Sequence, residues 1–156
     1  MIFYYSRAQK TKVAAEALHD ITGLPLCALA AEINAAKGFL FAWKALKAAF
    51  SIKGCKVNDL PGNVPAEIYL CGPIWAGDMA GPLKYFIQNV DLSHTRVHML
   101  LTAAQPTEGN RERVKRTLAA AHVTHGDIHL FATTKALPDK ALLIEQLREL
   151  MGEEAA

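Results

Sequence analysis

Short apolar runs alternate along this chain with segments of helical spacing, and this alternation is the feature that most constrains the fold. Four runs have the length of a strand, at residues 2–5, 68–71, 97–101 and 128–132, and a weaker fifth lies at residues 26–30. Most of them are continuously apolar, which is typical of strands covered on both faces of a parallel sheet. The pattern therefore indicates five buried strands.

Between these runs, apolar residues recur every three or four positions, which is the spacing of an amphipathic helix. The five apolar stripes are Ala14, Leu18 and Ile21; Phe39, Trp43, Leu46 and Phe50; Leu83, Phe86, Ile87 and Val90; Val114, Leu118 and Ala121; and Leu143, Leu147, Leu150 and Met151. Strand and helix thus alternate five times, and parallel strands require such crossovers.

This alternation predicts an α/β fold with three layers, in which a five-stranded parallel sheet has helices on both faces. We expect the strand order 2-1-3-4-5, one of two common doubly wound arrangements. A chain of 156 residues is long enough for one substantial core, so residues 1–156 are predicted to form a single domain. Residues 31–38 and 51–65 are predicted to be loops.

Charge and cysteine content restrict the partners and the compartment. The chain has 17 basic and 15 acidic residues, and its formal charge of +2 argues for neither nucleic acid nor an anionic membrane as a partner. Cys27, Cys55 and Cys71 form no CxxC pair, which favours a reducing compartment. Because no apolar run reaches spanning length and no basic leader precedes the first strand, we expect a cytoplasmic protein without membrane insertion.

Two loops are candidates for a ligand site. Ligands of doubly wound sheets bind beyond the carboxyl ends of strands 1 and 3, which here are Ser6 and Gly72. The second of these loops lies in YLCGPIWAGDMAGPLKYFIQNVDL, residues 69–92, and contains Trp75 directly after a buried strand. An indole there offers a large flat face for stacking an aromatic ligand. An ordinary core or interface tryptophan is the alternative interpretation.

Taken together, YYSRAQKTKVAAEAL (residues 4–18) and GPIWAGDMAGPLKYFI (residues 72–87) resemble the flavodoxin-like family of FMN-binding proteins. The likeness covers nearly the whole chain, and the GPxWAG pattern is its more specific part. It implies a flavodoxin-like fold, FMN as the cofactor and electron transfer through the flavin, a chemistry that needs no catalytic side chain.

The family's first loop has the pattern Ser/Thr-x-Thr-Gly-x-Thr and surrounds the FMN phosphate with hydroxyl and backbone N–H groups at a helix N-terminus. By position, Ser6 and Thr11 keep the two outer hydroxyls of that pattern. Ala8 stands where a hydroxyl is usual, and Gln9 stands where glycine is usual. This chain therefore departs from the family in the centre of the loop.

Loss of the glycine weakens phosphate binding unless other residues compensate, because the backbone geometry that glycine allows costs other residues roughly 1 kcal/mol or more. Arg7 and Lys10 add two positive charges to this loop. Arginine binds phosphate through two donors, so these cations offer a rebuilt phosphate site. The alternative is that both side chains only solvate an exposed turn.

The resemblance also assigns residues to the flavin ring. Trp75 corresponds to the residue that flanks the ring, with the adjoining wall formed by Pro73, Ile74 and Ala76. Gly77 and Asp78 resemble a glycine-acid pair near the flavin N5, where a glycine can turn its carbonyl towards the N5 proton. A third loop, on the pyrimidine side of the ring, corresponds to Thr102, Ala103 and Gln105.

Histidines and one cysteine are weaker candidates. We interpret His122, His125 and His129, and likewise His94 and His98, as solvent-exposed residues near the ends of elements. No metal site is therefore predicted. Cys71 precedes the proposed pocket, and we interpret it as a small buried residue and not as a reactive thiol.

The segment GFLFAWKALKAAF, residues 38–50, is apolar around much of its circumference, because Leu40 and Phe41 fall off the stripe of the predicted helix. Such a segment either lies under a long loop or forms a contact between two copies of the chain. We favour the second interpretation, which predicts a homo-oligomer.

These observations predict an FMN-binding redox protein, and two modes of action stay open. Simple flavodoxin carriers are strongly acidic, so a charge of +2 favours a small NAD(P)H-dependent reductase over an electron carrier. The partner would be a redox protein, a nicotinamide or a quinone. The alternative is a flavodoxin-shaped module that has lost FMN and acts in binding or assembly, as the altered first loop suggests.

Overall fold

The computed structural model describes residues 1–49, 51 and 53–155, and of residues 48, 49 and 153–155 it describes the backbone alone. The elements follow in the order β1 (Ile2–Tyr4), α1 (Lys10–Thr22), β2 (Leu26–Ala28), β3 (Ala30–Ala31), α2 (Gly38–Ala49), β4 (Val57–Asn58), β5 (Glu67–Trp75), β6 (Asp78–Met79), α3 (Gly81–Asn89), β7 (Arg96–Ala103), α4 (Glu108–Ala120), β8 (Thr124–Ala132) and α5 (Lys140–Ala155). A 3₁₀ helix, Glu32–Ala35, precedes α2.

Five strands form the principal sheet in the order β2-β1-β5-β7-β8, and all neighbouring pairs are parallel. Numbered along the chain, these five strands have the predicted order 2-1-3-4-5, so the predicted α/β architecture is confirmed. Two short pairings were not predicted. β6 is antiparallel to the end of β5, and β3 pairs with β4 in a separate two-stranded sheet.

Helices pack on both faces of the sheet. One core contains strand residues together with buried side chains of α3 and α4, among them Leu83, Phe86 and Leu118. The other core contains Leu18 of α1 and Leu147 of α5. Successive strand residues alternate between these two cores, as expected for strands covered on both sides.

Several boundaries differ from the sequence-based prediction, among them the start of β8, which is Thr124 and not residue 128. β5 continues past residue 71 to Trp75, because its last residues pair with β6. The segments predicted to be loops, residues 31–38 and 51–65, contain part of β3, the 3₁₀ helix and β4. Two-residue strands are too short to give a periodic pattern, so the apolar signal of these segments is weak.

The packing of α2 corrects the predicted stripe. Phe39, Trp43 and Leu46 point to solvent, whereas the off-stripe Phe41 packs against the core together with Ala45. The fourth residue of the stripe, Phe50, lies outside the described residues. Because α2 is apolar on several sides, its periodicity alone could not identify the face that packs.

His98 also differs from its prediction. It is buried in β7, where Nε2 contacts the carboxylate of Glu67, and Nδ1 lies 2.9 Å from Oδ2 of Asp127. The prediction of solvent exposure is wrong for His98, because β5 and β8 supply these carboxylates across the sheet. His94, His122 and His125 are exposed, as predicted.

Tyr5 follows β1 directly and is fully buried, with its hydroxyl donating to Oδ1 of Asn34 at 2.8 Å. Burial raises the pKa of Tyr5 to about 12, although the charge of Arg7 opposes this shift. The contact joins the end of β1 to the 3₁₀ helix. Tyr5 therefore links the sheet to the segment that leads into α2.

Gly72 of β5 allows α3 to pack closely. A Cβ at this position would lie 2.3 Å from Cδ1 of Leu83, a fully buried side chain.

We expect Gly72→Ala to lower the free energy of unfolding by about 1–3 kcal/mol, because the overpacked side chains must shift. The midpoint of urea denaturation measures this loss of stability. The control is Gly62→Ala, where a Cβ meets nothing within 4 Å; equal midpoints for the two variants would contradict the prediction.

The raised pKa of Tyr5 predicts a loss of stability in alkali. The unfolded chain ionises this phenol near its ordinary pKa of 10.0, so its contribution to stability is complete below pH 10.0 and is lost as the pH rises towards about 12. The ultraviolet titration of the parent protein minus that of Tyr5→Phe isolates this group. We expect a midpoint at about 12, and a midpoint at the ordinary value would show that the phenol is solvated.

Candidate functional site

A cavity of about 400 Å³ lies at the carboxyl edge of the sheet, where the first loop, the end of β5 and the end of β7 meet. Its wall consists of Ser6, Arg7, Ala8, Lys10, Thr11, Phe41, Pro73, Trp75 and Thr102. All but Phe41 were predicted from the sequence. The convergence arises because parallel strands end at the same edge of a sheet.

The first loop keeps a backbone conformation that favours glycine. Gln9 has φ 64° and ψ −8°, in the left-handed region, and it is the N-cap of α1. Its carbonyl accepts the first helical hydrogen bond, from the N–H of Val13 at 3.1 Å. Gln9 thus adopts a conformation that glycine would adopt more easily, at a cost on the order of 1 kcal/mol.

The charge at the start of α1 is opposite to that which stabilises an isolated helix. The partial positive charge of a helix N-terminus favours acidic residues. The first turn of α1 has no acidic residue and contains Lys10 and Lys12. Lys12 lies 3.9 Å from Glu16, whereas Lys10 lines the cavity. This end of the cavity is therefore electropositive.

A pair of buried hydroxyls joins two of the predicted loops. Oγ1 of Thr11 and Oγ1 of Thr102 are 2.8 Å apart, and both side chains are almost fully buried. Only one hydrogen lies between the two oxygens, so one hydroxyl keeps its own hydrogen for a further acceptor. The pair fixes the first turn of α1 against the end of β7 and leaves one donor for the cavity.

Arg7 connects the first loop to α2. Its guanidinium lies 3.5 Å from the ring centroid of Phe41, and Nη2 donates to the carbonyl of Ala36 at 3.1 Å. Stacking of a cation on an aromatic ring is favourable and leaves the remaining N–H groups available. Arg7 therefore forms part of the wall, and its predicted contact with phosphate stays a prediction.

Trp75 forms the aromatic wall of the cavity. Its ring is edge-to-face with Tyr5 and with Phe41, and the centroids are 5.6 Å apart in both pairs. Edge-to-face contacts are a favourable arrangement of aromatic rings, and here they hold the indole from two sides. Phe41 is the wall residue that the sequence analysis did not assign to the site. The feature of the sequence that could have indicated this role is the position of Phe41 off the apolar stripe predicted for α2.

Ala76 and Gly77 form the two-residue turn between β5 and β6. Their φ values of 49° and 86° are both positive, as in the type I′ turns that are favoured in two-residue hairpins. Nδ2 of Asn110 donates to the carbonyl of Gly77 at 3.2 Å. Asn110 also forms the capping box of α4 with Thr107, so α4 holds this turn in place.

Asp78 faces away from the cavity, towards α3 and α4. The carboxylate lies 3.2 Å from Nζ of Lys84 and accepts hydrogen bonds at 2.7 Å from the hydroxyl of Thr117 and the N–H of Met79. All three partners belong to β6 or to the two helices beside it. A buried ion pair with this many hydrogen bonds stabilises the local packing only while both charges remain.

Seven predicted site residues lie outside the cavity wall in the described structure: Gln9, Ile74, Ala76, Gly77, Asp78, Ala103 and Gln105. Gln9 acts through its backbone, and Ile74 points into the core. The carbonyl of Ala103 accepts from the N–H of Thr133 at the edge of β8. The structure therefore brings together the first loop, two alternate residues of β5 and one residue of β7.

Cysteine reactivity adds no chemistry to this site. Cys71 is fully buried, as predicted, and burial raises the pKa of its thiol. Burial also raises the pKa of Cys55. Thiols of this kind are inert at neutral pH, because the thiolate is the reactive form. Among the described residues, no group of three or more His, Cys, Asp or Glu side chains is arranged to hold a metal ion.

No family model and no curated protein matches the sequence. Solved structures match the fold. A Bacteroides uniformis protein assigned as a flavoprotein has a TM-score of 0.74 at 13% identity, over 95% of this chain and 96% of that one. A Lactobacillus acidophilus flavoprotein in complex with FMN has a TM-score of 0.61 at 16% identity, over 83% and 90%.

An NAD(P)H:quinone oxidoreductase from Methanothermobacter marburgensis has a TM-score of 0.50 at 12% identity, over 95% of this chain and 91% of that one. At these identities a likeness shows the fold alone. The strand order and the helices on both faces of the sheet agree with it. The chain has the flavodoxin-like fold.

Proposed function

We propose that this chain binds FMN in the cavity at the carboxyl edge of the sheet and acts as a flavin-dependent redox protein. The observation that carries the proposal is the convergence of an electropositive helix N-terminus and an aromatic wall on one cavity. FMN has an anionic phosphate at one end and a flat ring system at the other. The Lactobacillus acidophilus protein of the same fold, solved in complex with FMN, supports this assignment.

At the phosphate end, the candidate ligands are the free N–H groups of the first turn of α1, the hydroxyls of Ser6 and Thr11, and the ammonium of Lys10. A helix N-terminus and charge-assisted hydrogen bonds favour phosphate. The left-handed Gln9 keeps the loop in the shape that presents the N–H groups. These features support phosphate binding despite the missing glycine.

At the ring end, Trp75 and Phe41 supply apolar surface, and Pro73 completes the wall. FMN, when bound, supplies the redox chemistry through its isoalloxazine ring. The chain's own residues position the ring and exclude water from it. Because the electrons pass through the flavin ring itself, no wall residue is assigned a role as an acid or a base.

We further propose that the protein is a small reductase that takes electrons from NAD(P)H, in preference to a carrier that docks on basic partners. The balanced charge of +2 supports this, because electrostatic docking of a carrier requires a strongly acidic surface. The Methanothermobacter marburgensis NAD(P)H:quinone oxidoreductase has the same fold, which favours a quinone as acceptor.

Comparison of FMN with riboflavin, which lacks the phosphate, tests the site. We expect tighter binding of FMN than of riboflavin, measured by the change in the flavin's own fluorescence on binding. Lys10→Gln should weaken FMN binding about tenfold and leave riboflavin binding unchanged, because only FMN offers a charged partner. Lys12→Gln is the matched control on the same turn, outside the cavity wall.

Trp75→Ala should weaken binding of both flavins, whereas Trp43→Ala should change neither.

Equal affinities of the unmutated protein for the two flavins would show that the first loop does not recognise phosphate. A protein that binds neither flavin would support the alternative of a module that has lost FMN and acts in binding or assembly. In that case the protein purified from its natural host should release no flavin on denaturation.

Turnover distinguishes a reductase from a carrier. With FMN bound, we expect steady oxidation of NADPH or NADH in the presence of a soluble quinone, followed by the loss of nicotinamide absorbance. Trp75→Ala should reduce this rate in proportion to the FMN lost, because the ring contact holds the cofactor. If the flavin-loaded protein accepts electrons only from a reductase protein and not from nicotinamide, the carrier mode is correct.

A further inference from the structure

One helix of the described structure presents a large apolar surface to solvent. Phe39 is 84% exposed, and three neighbours on α2 are at least half exposed: Leu40 at 52%, Trp43 at 57% and Leu46 at 50%. We call these four residues the α2 face. They are four of the seven large hydrophobic residues that are exposed in the described part of the chain. A cluster of this kind marks an interaction surface.

The charged side chains of the segment that contains the α2 face, residues 33–58, are all positive. Residues 33–58 contain five of the 17 basic residues, Lys37, Lys44, Lys47, Lys53 and Lys56, and none of the 15 acidic residues. All five lysines are exposed. Of these five lysines, only Lys56 has an ion-pair partner among the described residues, Glu32 at 3.1 Å. The α2 face therefore lies within a positive field that the overall charge of +2 does not reveal.

The other side of α2 is fixed to the protein. Phe41 and Ala45 pack against the core, and Phe41 also holds Trp75 and the guanidinium of Arg7. These contacts orient α2, so that the four residues of the α2 face are held outwards. The exposure of Phe39 and Trp43 is thus imposed by the packing of the opposite side.

We propose that the α2 face docks the protein on the surface of an anionic lipid bilayer. Helices that lie in the membrane interface combine aromatic and leucine side chains with lysines, as α2 does. Tryptophan is enriched at that depth, and each nearby lysine gains from the negative surface potential. Docking of this kind needs no spanning helix, and the described part of the chain has none that is long and apolar enough to cross a bilayer.

A second copy of the chain fits the same surface less well. A symmetric dimer places the same patch on both sides of the contact, so that Lys44 and Lys47 of one copy would face those of the other. Like charges brought together at an interface oppose association. The charge therefore favours an anionic surface over the homo-oligomer expected from the sequence, and the oligomeric state becomes an outcome of the test.

Docking through α2 would also place the cavity close to the bilayer, because Phe41 of the same helix lines the cavity. If the proposed function is correct, an apolar quinone dissolved in the lipid would then be near the flavin. This consequence rests on the proposed function, whereas the docking itself does not. Vesicle binding can therefore succeed or fail independently of flavin binding.

Flotation of the full-length protein with lipid vesicles tests the proposal. We expect the protein to float with vesicles of phosphatidylcholine mixed with phosphatidylglycerol, to bind vesicles of phosphatidylcholine alone at least tenfold more weakly, and to dissociate as the salt concentration rises. The double variant Phe39→Ser/Trp43→Ser should lose at least tenfold in binding. The matched control is Leu137→Ser/Leu142→Ser, which removes two leucines that are 60% and 52% exposed elsewhere.

A second pair of variants tests the charge. Lys44→Gln/Lys47→Gln should weaken binding to the mixed vesicles by about fivefold for each lysine, whereas Lys12→Gln/Lys135→Gln should change it little. Circular dichroism checks that every variant is folded. The proposal is wrong if the protein does not bind the mixed vesicles, binds both vesicle types equally, or binds equally well without the two aromatic residues. A dimer that is abolished by Phe39→Ser/Trp43→Ser, without vesicle binding, would assign the α2 face to self-association.

Discussion

Parallel pairing of β5 with β1 on one side and with β7 on the other is the constraint on which the rest of the structure depends. In this register Tyr4 lies opposite Cys71, and Pro73 lies opposite Thr102. Because the three strands end at the same edge, the first loop, the indole of β5 and the hydroxyl of Thr102 meet around one cavity. The hydrogen bond between the hydroxyls of Thr11 and Thr102 then closes the arrangement by joining α1 to the end of β7.

Two unfavourable features at the start of α1 have a common explanation. Gln9 adopts a left-handed conformation that glycine would adopt at lower cost, and the first turn of the helix contains Lys10 and Lys12 where acidic residues would be more favourable. A bound phosphate would offset the second cost, because it neutralises both the lysine charge and the partial charge of the helix end. For phosphate binding, the backbone conformation of the first loop matters more than the loss of the glycine. The reason is that backbone N–H groups and not side chains form the centre of a phosphate site at a helix N-terminus.

The helix α2 contributes to two surfaces with different chemistry. Phe41 faces inwards, where it packs against Trp75 and against the guanidinium of Arg7, while Phe39 and Trp43 face solvent among exposed lysines. A net charge of +2 suggested that no charged surface would be a partner. The docking proposed above departs from that expectation, because residues 33–58 contain five lysines and no acidic residue, and the acidic residues that balance the total charge lie elsewhere in the sequence.

The sequence by itself indicated five strands alternating with helices, and the residues of the first loop, because continuous apolar runs and helical spacing are local properties that survive without any tertiary contact. The strand order was expected as one of two common arrangements, and the edge strand β2 is partly exposed and not buried. Only the tertiary structure decided that β5 extends to Trp75, that His98 is buried between carboxylates of two other strands, and that Phe41 and not Phe39 packs inwards. The environments of His98 and Phe41 depend on partners that are distant along the chain, and the extension of β5 depends on its pairing with β7 and with the nearby β6. A helix that is apolar on several sides has no periodic signal for the face that packs, so the choice is made by the shape of the surface against which it folds.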